Sequence, residues 1–308
     1  MNISVVIPIY NSELSLPLLI ERLKPVLESL TDMYEVILVN DASTDRSWNV
    51  ICGLCDTNEW VRGINLMRNY GQHNALLCGI QLATHEIIVN LDDDLQNPPE
   101  EIPKLIKKLE EGYDVVYGTP DIQQHGVFRN IASKITKLAL QSAMGIDTAR
   151  NVSAFRVFRT KVRDAFSDYK SPFVSIDVLL TWGTKNFSAV KVQHHQRELG
   201  KSNYTVKKLT LHALNMMTGY STMPLQIASL MGFGLTLFGL CILAYVIGRY
   251  FIHGVSVPGF PFIASIIAIF SGAQLFALGI IGEYLARMHF RTMGRPQSVI
   301  RQVIGFKL

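Results

Sequence analysis

Two long stretches without a charged side chain constrain this chain more than any other feature. Residues 209–248 and 250–282 contain no Asp, Glu, Lys or Arg. Within them, 225–247 and 260–281 are each more than twenty residues long. A helix of that length covers roughly 33 Å, enough to cross a ~30 Å hydrocarbon core. The competing reading, a helical hairpin buried in a soluble core, fails on size, since nothing else in the 308-residue chain is large enough to wrap two such helices. Lys207 and Lys208 precede the first stretch, Arg287, Arg291, Arg295, Arg301 and Lys307 follow the second, and the connector offers only Arg249. The positive-inside bias therefore puts the head and the C-terminal tail on the cytoplasmic side of the membrane. An even number of spans demands the same. The chain divides into a head at 1–205, an interfacial stretch at 206–222, two spans within 223–286 and a tail at 287–308.

The head alternates strand and helix patterns. Short apolar runs at 3–9, 34–39, 61–66, 86–91 and 114–117 read as strands, and helical periodicity appears at 14–30, 47–55, 72–83 and 100–111. Pro17 suits the first turn of its helix, and Pro25 is expected to kink it. This β-α-β-α order predicts an α/β fold with a parallel sheet covered on both faces. Beyond Gly118 the pattern loosens, with strands expected at 154–158 and 190–193 and a helix at 174–182. Basic amphipathic helices are predicted at 126–144 and 206–217, suited to an anionic membrane interface. The first of them reads equally well as an ordinary surface helix.

The richest chemistry lies in Leu91-Asp92-Asp93-Asp94-Leu95-Gln96-Asn97-Pro98-Pro99. Three carboxylates follow a buried strand, at the edge where open α/β sheets bind ligands. Adjacent acids repel unless a cation neutralises them. In an extended segment Asp92 and Asp94 point the same way and can share one Mg²⁺ or Mn²⁺, with phosphate oxygens completing its shell. A triplet of acids alone is more often a solvated turn; the preceding strand and the Pro-Pro stop favour the ion.

The other strand ends are also polar. The first runs through Pro8 and Ile9 into Tyr10 and Asn11, and the second ends in Asn40-Asp41-Ala42-Ser43-Thr44-Asp45. A carboxylate such as Asp41 can accept bonds from a base imide or ribose hydroxyls, whereas 43–47 reads equally well as an Asx-type cap for the next helix. The third strand ends in Arg68-Asn69-Tyr70-Gly71-Gln72-His73. There Gly71 frees backbone amides for an anion and Arg68 adds charge. Four cysteines give no disulfide framework, and the Cys52/Cys55 pair lacks a second pair or a nearby His for zinc. No cleavable leader is expected, since the first apolar run is short and has no basic residues before it. A net charge of +4 is modest, and no nucleic-acid partner is expected.

Taken in order, VVIPIYN (5–11), VNDASTD (39–45), RNYGQH (68–73), LDDDLQNPPEEIP (91–103), EGYDVVYGT (111–119), RELGKSNY (197–204) and GAQLFALGIIGEYLAR (272–287) carry a resemblance. The chain resembles family 2 glycosyltransferases of the polyisoprenyl-phosphate type. That class includes dolichol-phosphate mannose synthases, bacterial undecaprenyl-phosphate glucosyltransferases and the undecaprenyl-phosphate formamido-arabinose transferase. RNYGQH with QNPPEEIP is closest to the arabinose branch. The resemblance implies a GT-A head, with Asp92 and Asp94 as the metal-binding D-x-D and a catalytic role for them and for Arg129. It implies nucleotide-sugar contacts from Pro8, Tyr10, Asn11, Asp41, Arg68, Asn69, Gly71, Asp93 and Gln96. Arg129 and Ser133, with Lys201 and Ser202, match positions that hold the lipid phosphate. Homo-oligomers, tetramers in particular, are implied as well.

Two departures matter. Ser153-Ala154-Phe155-Arg156 stands where many relatives have G-D-F-R, and Ala154 can act neither as base nor as acceptor ligand. A polyprenyl phosphate is already anionic at pH 7, so it needs no deprotonation before attacking a sugar carbon. Thr119-Pro120 replaces a phosphate-contacting Arg, for which Lys134, Arg150 or Lys201 could substitute. The expectation is inverting transfer of one sugar from a nucleotide diphosphate, UDP in the first instance, to undecaprenyl phosphate. Two rivals stand beside it. A processive polysaccharide synthase is disfavoured by the two spans and the lack of Q-x-x-R-W. A catalytically dead scaffold is encouraged by Ala154 and opposed by Asp92, Asp94, Arg68 and Arg129.

Overall fold

A computed structural model describes residues 1–120, 152–171, 173–195, 223–253, 259–294 and 296–306. The amphipathic stretches at 126–144 and 206–217, and with them Arg129, Ser133, Lys134, Arg150, Lys201 and Ser202, lie outside the described residues.

In chain order the elements are β1 (Ile3–Ile9), α1 (Leu16–Leu30), β2 (Tyr34–Asn40), α2 (Ser47–Thr57), β3 (Val61–Leu66), α3 (Gln72–Leu82) and β4 (Ile87–Asn90). A 3₁₀ turn (Pro99–Glu101), α4 (Ile102–Glu110), β5 (Val115–Pro120) and β6 (Arg156–Arg159) follow. A second 3₁₀ segment (Thr160–Phe166) leads to α5 (Ile176–Gly183) and β7 (Phe187–Val192). Two long helices, α6 (Met223–His253) and α7 (Phe260–Thr292), precede β8 (Ile300–Ile304).

The strands form one sheet in the order β7-β5-β6-β4-β1-β2-β3-β8. Its central part is parallel, β4-β1-β2-β3, because helical crossovers return the chain in the same direction. The sheet is mixed, not wholly parallel. β6 runs antiparallel between β4 and β5, and β8 antiparallel on β3. Alternate residues of the buried strands feed two cores. Ile3, Val5, Ile7 and Ile9 meet α1 and α4 on one face, while Val6, Ile37 and Val39 meet α3 and α5 on the other.

Prolines obey the hydrogen-bond accounting. Pro8 sits in a central strand, where a missing donor should be costly. Val6 faces β4 and accepts from the Leu91 amide; two residues on, Pro8 faces the same side, where the ladder with β4 has already ended. Pro25 lies inside α1 without interrupting it, on the exposed face, so the orphaned Glu21 carbonyl looks to water.

Residues 294–308 belong to the same compact unit as 1–213, while 214–293 form a second unit. β8 adds to the edge of β3, helped by the Met67 amide donating to the Val299 carbonyl (2.9 Å) and Arg301 donating to the Met67 carbonyl (3.1 Å). Arg62 stacks over the Phe306 ring at 5.2 Å. What reads as a charged tail is thus an edge strand of the head. In the second unit, α6 and α7 contain windows long and apolar enough to cross a membrane, Pro224–Arg249 and Ile269–His289. Their large apolar side chains, such as Leu230, Phe233, Leu275 and Phe276, are exposed.

Candidate active site

Because β1 to β4 are parallel, the loops that follow them emerge at one edge of the sheet. Three of those loops contain a residue other than glycine with positive φ: Asn11 (57°), Ala42 (53°) and Leu95 (60°). Such conformations cost energy and persist where surrounding contacts over-determine them. Those contacts are plain here. The Asn11 amide donates to Ser43 Oγ (3.0 Å), its side-chain oxygen accepts from the Thr44 amide (2.8 Å), and the Ser12 amide donates to Ser47 Oγ (2.8 Å). Asp45 is the Asx-type brace at the start of α2. Burial pushes its carboxyl up, but the Ser47 hydroxyl and the Ser47 and Glu13 amides outweigh it, leaving it lowered.

Asp41 is only 3% exposed. One carboxylate oxygen accepts from the Tyr70 amide (2.7 Å) and the other from the Gly71 amide (2.8 Å). Burial raises its pKa while the two amides pull it back. Gly71 makes this approach with φ +94°. The next residue, Gln72, donates to Asp92 Oδ1 at 2.8 Å, and His73 Nδ1 accepts from the Ile176 amide at 3.4 Å, where α5 begins. Four consecutive residues therefore tie the β2 loop, the β4 loop and α5 together. The exposed Arg68 guanidinium stacks over the Tyr70 ring at 4.5 Å, beside the exposed Asn69.

The acid turn is not an extended strand. After Asp92 the chain turns at Asp93 and Asp94, and Leu95 is left-handed, so the i, i+2 argument for Asp92 and Asp94 does not describe their geometry. Instead the three acids divide their partners. Asp92 takes Gln72; Asp93 accepts from the Ser12 hydroxyl and from the Tyr10 amide (3.3 Å); Asp94 accepts from the Gln96 amide (3.1 Å). Burial, then the charges of Asp94 and Asp93, push the half-buried Asp92 up to about 7, against the pull of Arg156 and Gln72. Among the described residues this acid cluster is short of positive charge. Among the described residues no group of three or more His, Cys, Asp or Glu forms a metal cage. The carboxylates of the turn are hard oxygen donors, of the kind of which Mg²⁺ or Mn²⁺ takes one or two while its remaining oxygens come from elsewhere.

Sequence reasoning missed several members of this edge. Ser12 and Gln72 lie within or beside motifs it quoted, but their partners are distant in sequence. The segment after β7 also reaches the turn: the His195 amide donates to the Gln96 carbonyl (2.8 Å), and His194 Nδ1 lies 3.3 Å from Asn97 Oδ1. Behind the turn, buried Arg156 pairs with Asp177 of α5, which also accepts from Tyr117 Oη at 3.2 Å. Ala154 is half-buried between Ser153 and Phe155.

The architecture has solved counterparts. Glucosyl-3-phosphoglycerate synthase from Mycobacterium tuberculosis, in complex with Mn²⁺ and uridine-diphosphate-glucose, superposes with a TM-score of 0.52 at 16% identity, over 70% of this chain and 77% of that one. The same enzyme with phosphoglyceric acid also present gives 0.53 at 16% identity, over 71% of this chain and 79% of that one. Both show the GT-A-like fold. The undecaprenyl-phosphate 4-deoxy-4-formamido-L-arabinose transferase of Photorhabdus laumondii is 35% identical over 98% of this chain and 94% of its own length. That of Yersinia enterocolitica is 34% identical over the same shares. The profile of glycosyl transferase family 2 matches residues 4–166, and with relatives aligned over nearly their whole length the chain belongs to that family and is a glycosyltransferase.

Proposed function

We propose that this membrane glycosyltransferase moves one sugar from a nucleotide diphosphate, UDP by preference, to a polyisoprenyl phosphate such as undecaprenyl phosphate, with inversion at the anomeric carbon. The observation that carries the reading is the undercompensated acid turn at the sheet edge, in a chain whose relatives are named for an undecaprenyl-phosphate sugar transfer. An amino-arabinose derivative fits the relatives' names, and glucose remains an alternative sugar.

The chain's own residues divide the work. Asp92 and Asp94 would hold Mg²⁺ or Mn²⁺, which supplies Lewis-acid stabilisation to the departing nucleotide diphosphate. Asp93, bonded to Ser12 and the Tyr10 amide, keeps that turn docked on the loop after β1. Tyr10, Asn11, Asn69 and the Arg68–Tyr70 stack present the exposed polar and aromatic surface for the nucleoside. Asp41, with both oxygens taken by backbone amides, and the buried Pro8 fix that surface from behind. The Gln96 carbonyl ties the segment after β7 to the acid turn through the His195 amide. Arg129, Ser133, Lys201 and Ser202 are the proposed lipid-phosphate ligands. An acceptor phosphate that is already anionic needs alignment and cations more than a base, which suits Ala154.

The head and residues 294–308 face the cytoplasm of the inner membrane in this reading. A homo-oligomer accords with the open small-residue positions Gly232, Gly272 and Gly279, where an added Cβ meets nothing. The direct experiment incubates purified protein with undecaprenyl phosphate and a panel of nucleotide sugars, read by mass spectrometry. A polyprenyl monophosphate sugar is the expected product. Polymer, or no transfer from any donor, overturns the assignment in favour of a synthase or a scaffold.

A further inference from the structure

One level below the acid turn, a row of polar side chains crosses the sheet where apolar residues would be expected. Tyr117 of β5, Arg156 of β6 and Asn90 of β4 are direct cross-strand neighbours, and Val6 of β1 continues the row. Their neighbours two residues back, Val115, Phe158 and Ile88, are wholly apolar and buried. Arg156 is 1% exposed, the largest fully buried side chain of the protein among the described residues. It is paired with Asp177, donated by the first turn of α5, and among the described residues its Nε has no partner. Asn90 is fully buried, and among the described residues neither of its amide atoms is bonded.

This row is poorly explained as a stabilising device. A buried ion pair contributes little over an apolar pair of equal volume, and unpartnered buried amide atoms cost stability. Its position offers another explanation. Leu91 packs into the opposite core, so Asp92 returns to the face of Asn90 and Arg156, where Gln72 of α3 also meets it. The Arg156 charge reaches the Asp92 carboxylate.

We propose that Arg156 is a positioning residue of the transfer reaction: a fixed, buried cation beneath the acid turn that loosens the turn's grip on a divalent ion, so that the ion is held firmly only together with a nucleotide diphosphate. The inference rests on the metal reading above and adds to it a reason for the buried pair. Asp177 anchors the guanidinium and partly offsets its charge; His73, bonded to the Ile176 amide, fixes the helix turn that carries Asp177. A buried unit charge beneath the turn, with its partner counted against it, shifts a divalent ion's affinity by on the order of tenfold.

The test measures Mn²⁺ binding to the full-length protein by electron paramagnetic resonance, at fixed pH and without nucleotide. Asp177→Asn keeps an acceptor for Tyr117 but unmasks Arg156, and should weaken Mn²⁺ binding several-fold. Adding Arg156→Gln to it should reverse the effect, giving an affinity about tenfold tighter than Asp177→Asn alone and above wild type. Arg156→Lys keeps the charge and should stay within about twofold of wild type; it also serves if the double variant does not fold, as judged by thermal unfolding. A purely structural pair would weaken binding in all three, and that pattern overturns the proposal. Asp94→Asn separates the two readings. If wild type binds Mn²⁺ with UDP and Asp94→Asn abolishes it, while changes at 156 and 177 leave affinity unmoved, only the role of Arg156 falls. If wild type binds no Mn²⁺ even with UDP, the metal reading falls first.

Discussion

Asp41 and Asp92 follow parallel strands at the same sheet edge, and the fold treats them in opposite ways. Asp41 is almost fully buried, yet each of its oxygens accepts a short bond from a backbone amide. Asp92 is less buried, but among the described residues its partners are one amide side chain and a buried guanidinium's field, set against two neighbouring carboxylates. The first is a completed joint that holds the RNYG loop in place. The second is a site whose electrostatics improve only when a cation arrives. Burial alone does not separate structural from functional carboxylates; the balance of donors against like charges does.

The largest effect that can break this contrast is on activity. Asp94→Asn should lower sugar transfer by orders of magnitude and flatten the dependence on added metal. The same substitution should leave the metal-free fold as stable or more so, because it removes repulsion within the turn. A neutral effect on turnover, or full activity in excess EDTA, removes the acid turn from the chemistry.

The next effect is on stability against pH. The Asp92 carboxyl lies near 7 in the folded protein, against 3.8 for an unperturbed carboxyl. Between those values the folded state holds a proton that the unfolded state has released. Stability of the metal-free protein should therefore be greatest below about pH 4 for this group and fall as pH rises through 7, by on the order of 3 kcal/mol at most after allowing for partial exposure. Thermal unfolding in EDTA at pH 5 and pH 8, wild type against Asp92→Asn, isolates the contribution as a difference. An identical pH slope in the two proteins rejects an undercompensated Asp92.

How far the sequence foretells this contrast depends on the interaction range. Buried apolar runs gave β1, β2 and β3 nearly to the residue, since a strand covered on both faces reads as a continuous apolar run whose polar ends mark its limits. The polar residues after those strands come to one edge because parallel strands leave no other arrangement. β8 was not legible, because its exposed side chains carry no burial pattern and only pairing with β3 makes it a strand. The antiparallel turn of β6 depends on a return path that local periodicity does not encode. Arg156 and Asp177 are 21 residues apart and meet only through the packing of α5 on the sheet. That Asp41 is satisfied and Asp92 is not rests on the backbone amides of Tyr70 and Gly71, which composition cannot reveal.

A smaller effect sharpens the other half of the comparison. Asp41→Asn keeps the shape but presents an amide N–H₂ to one of two donating backbone amides. The loss of a charge-assisted bond to a buried group should cost about 1.5–3 kcal/mol of stability. Transfer activity should fall less than in Asp94→Asn, with the nucleotide-sugar KM rising more than kcat falls. Urea unfolding and steady-state kinetics on one preparation check both; an undiminished stability shows that Asp41 is not the joint described.

The smallest effect concerns the loop that Asp41 holds. An added Cβ at Gly71 meets no atom within 4 Å, so crowding contributes nothing, and the cost of Gly71→Ala is the φ of +94° alone. That conformation should cost about 1–2 kcal/mol for a residue with a Cβ. Relaxing it would swing the Gly71 amide off Asp41, so the two substitutions share one interaction. Combined, Gly71→Ala and Asp41→Asn should destabilise by less than the sum of the single changes, with a coupling of about 0.5–1 kcal/mol. Strict additivity in the double-mutant cycle would mean that the strain at Gly71 serves something other than Asp41, and the amide of Tyr70 would then be the bond that holds the loop.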